Sequence, residues 1–425
     1  MNSSAVLEKY GNLIHLSPTP FHAVTMSKEL LLTSGFQELQ DSGTWELSPG
    51  ESYFVIRENS AIIAFKIPQN LSSTPAFRIV GSHTDSPCFK LKSNPTLAKE
   101  GYQQLNAEVY GSPLLNSWLD RDLKMSGLVV GMRNGELCDK ICQLPWVARI
   151  PQLAIHLDRN LSKDGLKLNS QTEMTPVIGL GSQTHGEFKK TLADILKFDE
   201  ILSWDLCFHD TQAPALGGMN SEFLLAPRLD NLAMFFTSVH SLIETQTSSS
   251  LIPIIAAFNH EEVGSTSHEG ASGNFLESIL ERVSQSLSME RCSYLESLPR
   301  SLFMSADMAH AIHPNFPGRH DASHAPQINN GPVLKTNVNQ RYATSASSAA
   351  KIKLIAKQAN VDLQDFHSRN DMGCGSTIGP SSCSRLGIPG LDIGNPMLSM
   401  HSIREMCGVE DFEAMERLIQ KFFEY

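Results

Sequence analysis

The chain has 425 residues, 41% of them apolar and 19% charged, enough for two or three domains with buried cores. Its 34 basic and 45 acidic residues leave a net charge of −11, which disfavours nucleic-acid backbones and anionic membrane surfaces as partners. No apolar run reaches the ~18 residues of a bilayer span, and the opening MNSSAVLEKYGNLIHLS lacks the basic-then-apolar order of a secretory leader, so a cytoplasmic location is expected.

Residues 3–16 and 20–34 read as two helices separated by Ser17-Pro18-Thr19-Pro20. Strand-like runs follow at Tyr53–Arg57, Ala61–Ile67 and Phe77–Gly81, the last opening onto His83-Thr84-Asp85. From about 88 to 215, strand-like and loop-like segments alternate, with no long helix expected before residue 190. Helix–strand alternation then returns. Helices are expected over Asn231–Thr245, 272–289, Ser347–Asn360 and Asp411–Phe423, and strands over Leu251–Asn259, Ser301–Ala306 and Gly390–Ile393. This pattern predicts an α/β sandwich in two parts, residues 1–87 and 216–425, interrupted by an inserted, mostly β domain over 88–215. The eight cysteines contain no C-x-x-C pair and read as reduced residues, not as a disulfide framework.

Acidic and histidine clusters close several of the strand-like runs. In His83-Thr84-Asp85, residues two apart can face one side, so Asp85 can fix the His83 tautomer and leave its other nitrogen for a metal. Asp230, just before a helix, reads on local sequence as an N-cap. His260-Glu261-Glu262 is harder to explain structurally, because adjacent carboxylates at the mouth of a buried strand repel each other. One of them can ligate a metal while the other serves as general base. Asp307 ends a further apolar run and is followed by His310 and His313, whereas His401 taken alone reads as structural. Together, two histidines and three carboxylates can hold two divalent cations at roughly 3.5–4 Å if one carboxylate bridges them. Imidazole and carboxylate suit zinc and its first-row neighbours.

The segments GSHTDSP, LDN, NHEEVGS, SADMAHAIHPN, RNDMGCGSTIGP and MHSIRE, in this order along nearly the whole chain, resemble the M18 metalloaminopeptidases, whose best-known members are aspartyl aminopeptidases. The resemblance implies two zinc ions per subunit, with cobalt or manganese as substitutes. Asp230 would bridge them, His83 and Asp307 would complete one shell, and Glu262 and His401 the other. Glu261 would be the general base and Asp85 would orient His83. It also implies a zinc-peptidase α/β/α sandwich with a dimerisation domain at 88–215, and a homo-oligomer, a dodecamer built from dimers. A histidine of the inserted domain, matched here by His156 in PQLAIHL, would reach a neighbouring subunit's site.

The implied reaction removes one N-terminal residue from a small peptide. A preference for Asp or Glu would require a local cation in this acidic protein. Lys335 is the candidate the resemblance favours, with Arg341 as another cation and His310 and His313 near in sequence. The glycine-rich RNDMGCGST stretch reads as a turn entering a helix, or, by resemblance, as a substrate loop that includes Gly375. Cys374 within it has no accompanying His–Asn pattern of a cysteine hydrolase. Three other readings stay open: an aminopeptidase of broader specificity, another two-metal amide hydrolase, and a non-catalytic peptide-binding assembly protein.

Overall fold

The computed structural model describes residues 2–72, 74–248 and 250–425. By its internal contacts the chain forms two compact units, one of Met1–Asp85, Pro214–Met400 and Glu405–Tyr425, the other of Ser86–Ala213 and His401–Arg404.

The first unit is built on a nine-stranded sheet. From one edge the strands run Gln37–Leu39, Ser52–Arg57, Ala61–Lys66, Leu251–Phe258, Ala76–His83, Leu302–Ala306, Gly390–Gly394, Val333–Thr336 and Gln364–His367. The four in the middle, from Leu251–Phe258 to Gly390–Gly394, are mutually parallel. Three of these four are buried at every residue and the fourth, Leu251–Phe258, is too, as expected of strands covered on both faces. Alternation along Leu251–Phe258 shows how. Ile255 and Ala257 join the core of helices Leu229–Glu244, Ala346–Ala359 and Glu410–Glu424, while Ile254, Ala256 and Phe258 join that of Phe275–Ser286 and Ile378–Leu386. The result is a helix–sheet–helix sandwich of the predicted α/β class. The register pairs Phe258 with His83, so neighbouring parallel strands end side by side.

The second unit is a six-stranded sheet, in which Glu200–Asp210 lies between Leu123–Arg133 and Cys88–Lys99 and every pairing is antiparallel. The helix His185–Leu196 packs Phe188, Leu192 and Leu196 into its core. It starts before the residue-190 limit expected from the sequence because Thr184 and Glu187 form a reciprocal capping box that fixes its first turn. A further sheet of five short strands in the first unit, including Phe223–Ala226 and Glu405–Gly408, was not anticipated; strands this short carry almost no period-two signal. No helix among the described residues is long and apolar enough to cross a membrane.

Candidate active site

Three adjacent parallel strands end at one place, and the residues just beyond them carry the chemistry. His83 is the last residue of Ala76–His83, Glu261 and Glu262 form a short 3-10 turn after Leu251–Phe258, and Asp307 follows Leu302–Ala306. Crevices at the carboxyl ends of parallel strands are where open α/β sheets bind ligands. Asp230 enters from the start of Leu229–Glu244, where its ψ of 106° is non-helical. It is therefore not a simple cap. Its own N–H donates to Glu405 Oε2 at 3.0 Å, and the neighbouring Asn231 amide donates to the Ala306 carbonyl at 2.9 Å.

The donors converge on His83, which is 1% exposed. Its Nε2 lies 3.5 Å from Asp230 Oδ1 and 4.0 Å from Asp307 Oδ1. Its Nδ1 is 3.3 Å from Asp85 Oδ1 and 3.1 Å from the Asp85 carbonyl. The Asp85 carboxylate also accepts the backbone N–H groups of Glu261 and Glu262, each at 3.1 Å. The Glu261–Glu262 turn is held from its other side by His260, in the left-handed region at φ 64°, whose Nδ1 is 2.7 Å from Ser267 Oγ.

Crowding of buried acids sets the electrostatics. Burial, reinforced by the charges of Asp307, Asp85 and Asp230 and opposed by His83, pushes the Glu261 carboxyl up to about 8. Burial and the Asp230 charge hold Glu262 well above the usual carboxylate range. Burial also pushes Asp307 up to about 6, against the pull of Lys335. For His83, burial alone would depress the imidazole, but hydrogen bonds to Asp230 and Asp85 and the Glu261 charge outweigh it and raise the pKa.

Such a set fits a bound cation. His83, Asp230 and Glu262 each offer a ligand atom, all within 4.8 Å of one another. One imidazole nitrogen among carboxylate oxygens suits zinc or a close neighbour, and a divalent charge would relieve the repulsion that raises Glu261, Glu262 and Asp307.

Lys335 is 2% exposed, with Nζ 3.9 Å from Asp307 Oδ2, donating to the Met308 carbonyl at 3.1 Å and lying 5.2 Å from the centre of the Tyr342 ring. It is a buried cation, not a solvated one. Directly across the strand pair sits fully buried Asp392, which accepts from Thr377 Oγ1 and from the Ala343 N–H. Arg341 and Glu261 line one pocket, whereas Gly375 is exposed in the turn before Ile378–Leu386. His310 is exposed and packs edge-on toward Phe366; His313 stacks near Phe316 and its Nδ1 accepts from the Asn315 N–H. His401 and His156 belong to the second unit. There His401, at φ 68°, has Nδ1 3.0 Å from the Ser112 carbonyl, and His156 is exposed in a turn.

Sequence reasoning gave no role to Asp392 or Glu405. An aspartate inside the apolar GLDIG strand was the available signal for the first. The second stood within the quoted MHSIRE segment, but nothing local pairs it with the Asp230 N–H.

The sequence model of the family "Aminopeptidase I zinc metalloprotease (M18)" matches residues 13–423. A probable M18 family aminopeptidase 2 of Pseudomonas syringae pv. syringae (strain B728a) is 40% identical over 421 residues, 97% of this chain and 96% of that protein. A chain in the cryo-EM structure of the Ape4 and Nbr1 complex is 38% identical with a TM-score of 0.94, covering 99% of this chain and 86% of its own. The Saccharomyces cerevisiae mApe1 dodecamer structure is 27% identical with a TM-score of 0.86, covering 100% of this chain and 97% of its own. A match over nearly the whole chain, by sequence and by fold, makes the chain a member of the M18 zinc metalloprotease family and a metallo-aminopeptidase.

Proposed function

We propose that the chain is a dinuclear zinc aminopeptidase that removes single N-terminal residues from peptides, with Asp and Glu preferred. The observation that carries this reading is the convergence of His83, Asp230, Glu262 and Asp307 on one crevice with Glu261 beside them. In this reading Asp230 would serve both ions, His83 and Asp307 would hold one, and Glu262 the other, which His401 would join on the strength of its MHSIRE motif. Zinc bound by these residues would supply Lewis acidity and lower the pKa of the attacking water. Glu261, beside the donor set, would take the proton of that water and return it to the leaving amine. Asp85 fixes both the His83 ring and the backbone of the Glu261–Glu262 turn. Lys335, the buried cation beside Asp307, meets the acidic side chain of the first residue.

Assembly into a homododecamer belongs to the same reading, as does entry of His156 into a neighbouring subunit's site. Leu153, Ile155 and Leu157, which flank His156, are 58%, 51% and 75% exposed, an apolar set that association would cover. Light scattering should then give a mass twelvefold the 46.8 kDa of the chain.

The test is kcat/KM of zinc-loaded protein on matched dipeptides beginning with Asp, Glu, Leu and Ala. A bias to Asp and Glu supports the whole reading. A flat profile retires the acidic preference and keeps the hydrolase. Absence of metal-dependent turnover on every peptide overturns the proposal.

A further inference from the structure

Beside Glu261 opens a pocket of about 420 Å³, inside the ~300–1,000 Å³ range of small-ligand sites. Its wall includes Ser265, Asn339, Arg341, Ser376 and Ser381, but neither Lys335 nor any of His83, Asp230, Glu262 and Asp307. Glu261 is its sole acidic lining residue and Arg341 its sole cation; the rest are hydroxyls, amides, Gly and Pro. Arg341 makes no ion pair with any described residue.

The backbone beneath Arg341 is fixed. Asn337 bridges to Ser368 Oγ through its side-chain amide at 3.1 Å and accepts the Asn339 N–H on its Oδ1 at 2.9 Å. Immediately after Arg341, Tyr342 is buried against Phe366, and the Ala343 N–H donates to Asp392 at 2.6 Å. An exposed guanidinium is thus carried on an anchored segment, in a pocket that meets the general base but none of the other proposed residues.

That separation assigns sides. If, as proposed above, the first residue of the peptide occupies the space between the donor set and Lys335, then the pocket that shares only Glu261 with the proposed catalytic residues lies on the side of the leaving amine. We propose that Arg341 binds a carboxylate on the second residue of the substrate, either its own α-carboxylate in a dipeptide or an acidic side chain in a longer peptide. A guanidinium pairs with a carboxylate through two parallel N–H···O bonds, and no competing internal acid has to be displaced here.

Two substrate pairs separate the sources: Asp-Ala against Asp-Ala amide for the α-carboxylate, and Asp-Asp amide against Asp-Asn amide for the side chain. At least one pair should show about a tenfold lower KM for the charged member, the size of one well-made ion pair of ~1.4 kcal/mol. The difference should collapse toward unity in Arg341→Ala and return in part in Arg341→Lys, with the split falling in KM and not in kcat. Absence of a difference in both wild-type pairs, or its persistence in Arg341→Ala, overturns the assignment. The inference rests on the aminopeptidase reading, so binding of the released product is measured separately, as calorimetric titration of alanine against alanine amide and of aspartate amide against asparagine amide. Carboxylate-dependent binding lost in Arg341→Ala, in a protein that cleaves none of the peptides, would keep the pocket and sink the aminopeptidase. Turnover without any dependence on Arg341 would do the reverse.

Discussion

Asp85 accepts the backbone N–H of Glu261 at 3.1 Å, although 175 residues lie between them in sequence. With the second oxygen on the Glu262 N–H and the His83 ring beside the first, one carboxylate holds the end of one strand to the turn that follows its neighbour. Its contribution is therefore to the position of three other side chains. Asp85→Ala should leave the secondary structure intact and weaken zinc binding by about 10–100-fold, the usual scale for losing a partner that orients a ligand. Chelator competition with circular dichroism as control measures both. Unchanged zinc affinity would mean that the turn keeps its shape without this carboxylate.

Glu261→Gln preserves size and removes the basic oxygen. Zinc content should match wild type, while kcat falls by about 10²–10⁴, the range ascribed to general acid–base catalysis. A metal-replete variant with near wild-type kcat would remove Glu261 from the mechanism.

Lys335 stands between two buried acids, Asp307 and Asp392. Replacing it with methionine removes the lysine charge from beside both, and loss of one partner of a buried charge set costs about 3–5 kcal/mol. The urea midpoint of metal-free Lys335→Met should drop accordingly, and the preference for Asp over Leu peptides should disappear in the zinc-loaded variant. A stability loss with selectivity intact would restrict Lys335 to holding Asp307.

Acid sensitivity should reside partly in the helix Leu229–Glu244. Burial, with the Lys9 charge adding to it, pushes the His240 imidazole down to about 4, and its ring meets Tyr10 edge-on at 5.5 Å. His22 is likewise pushed down to about 4 by burial and by Arg228. Between pH ~6.5 and 4 the unfolded chain binds protons that these folded imidazoles refuse. The stability they contribute is thus fully present above pH ~6.5 and is lost as the pH falls toward 4. His240→Phe should lose on the order of 1–2 kcal/mol less than wild type between pH 7 and 5, read from urea midpoints, since each pKa unit is worth about 1.4 kcal/mol. Parallel losses in the two proteins would place the acid sensitivity elsewhere.

Much of the sandwich was legible because its strands are buried on both faces: Ile79 and Val80, or Ile254 and Ile255, sit in predominantly apolar runs followed by an acid or a histidine. The cluster around His83 was legible for the same reason, since Glu261-Glu262 and Asp307 stand directly after such runs. What stayed hidden depends on pairing between distant segments. Nothing near Lys335 in sequence announces that Val333–Thr336 lies antiparallel to Gly390–Gly394, so its burial opposite Asp392 could not be read. Asp230 misled locally, because an aspartate before a helix resembles a cap until its N–H is seen bound by Glu405.

The placement of Ala76–His83 between Leu251–Phe258 and Leu302–Ala306 also has a temporal consequence. During synthesis this apolar strand leaves the ribosome well before either neighbour exists. At ~5–20 residues per second, on the order of ten seconds or more separate it from the first of them. Through that interval a strand destined for full burial has its hydrogen-bonding edges uncovered, a template for pairing with other chains until residue 258 has emerged.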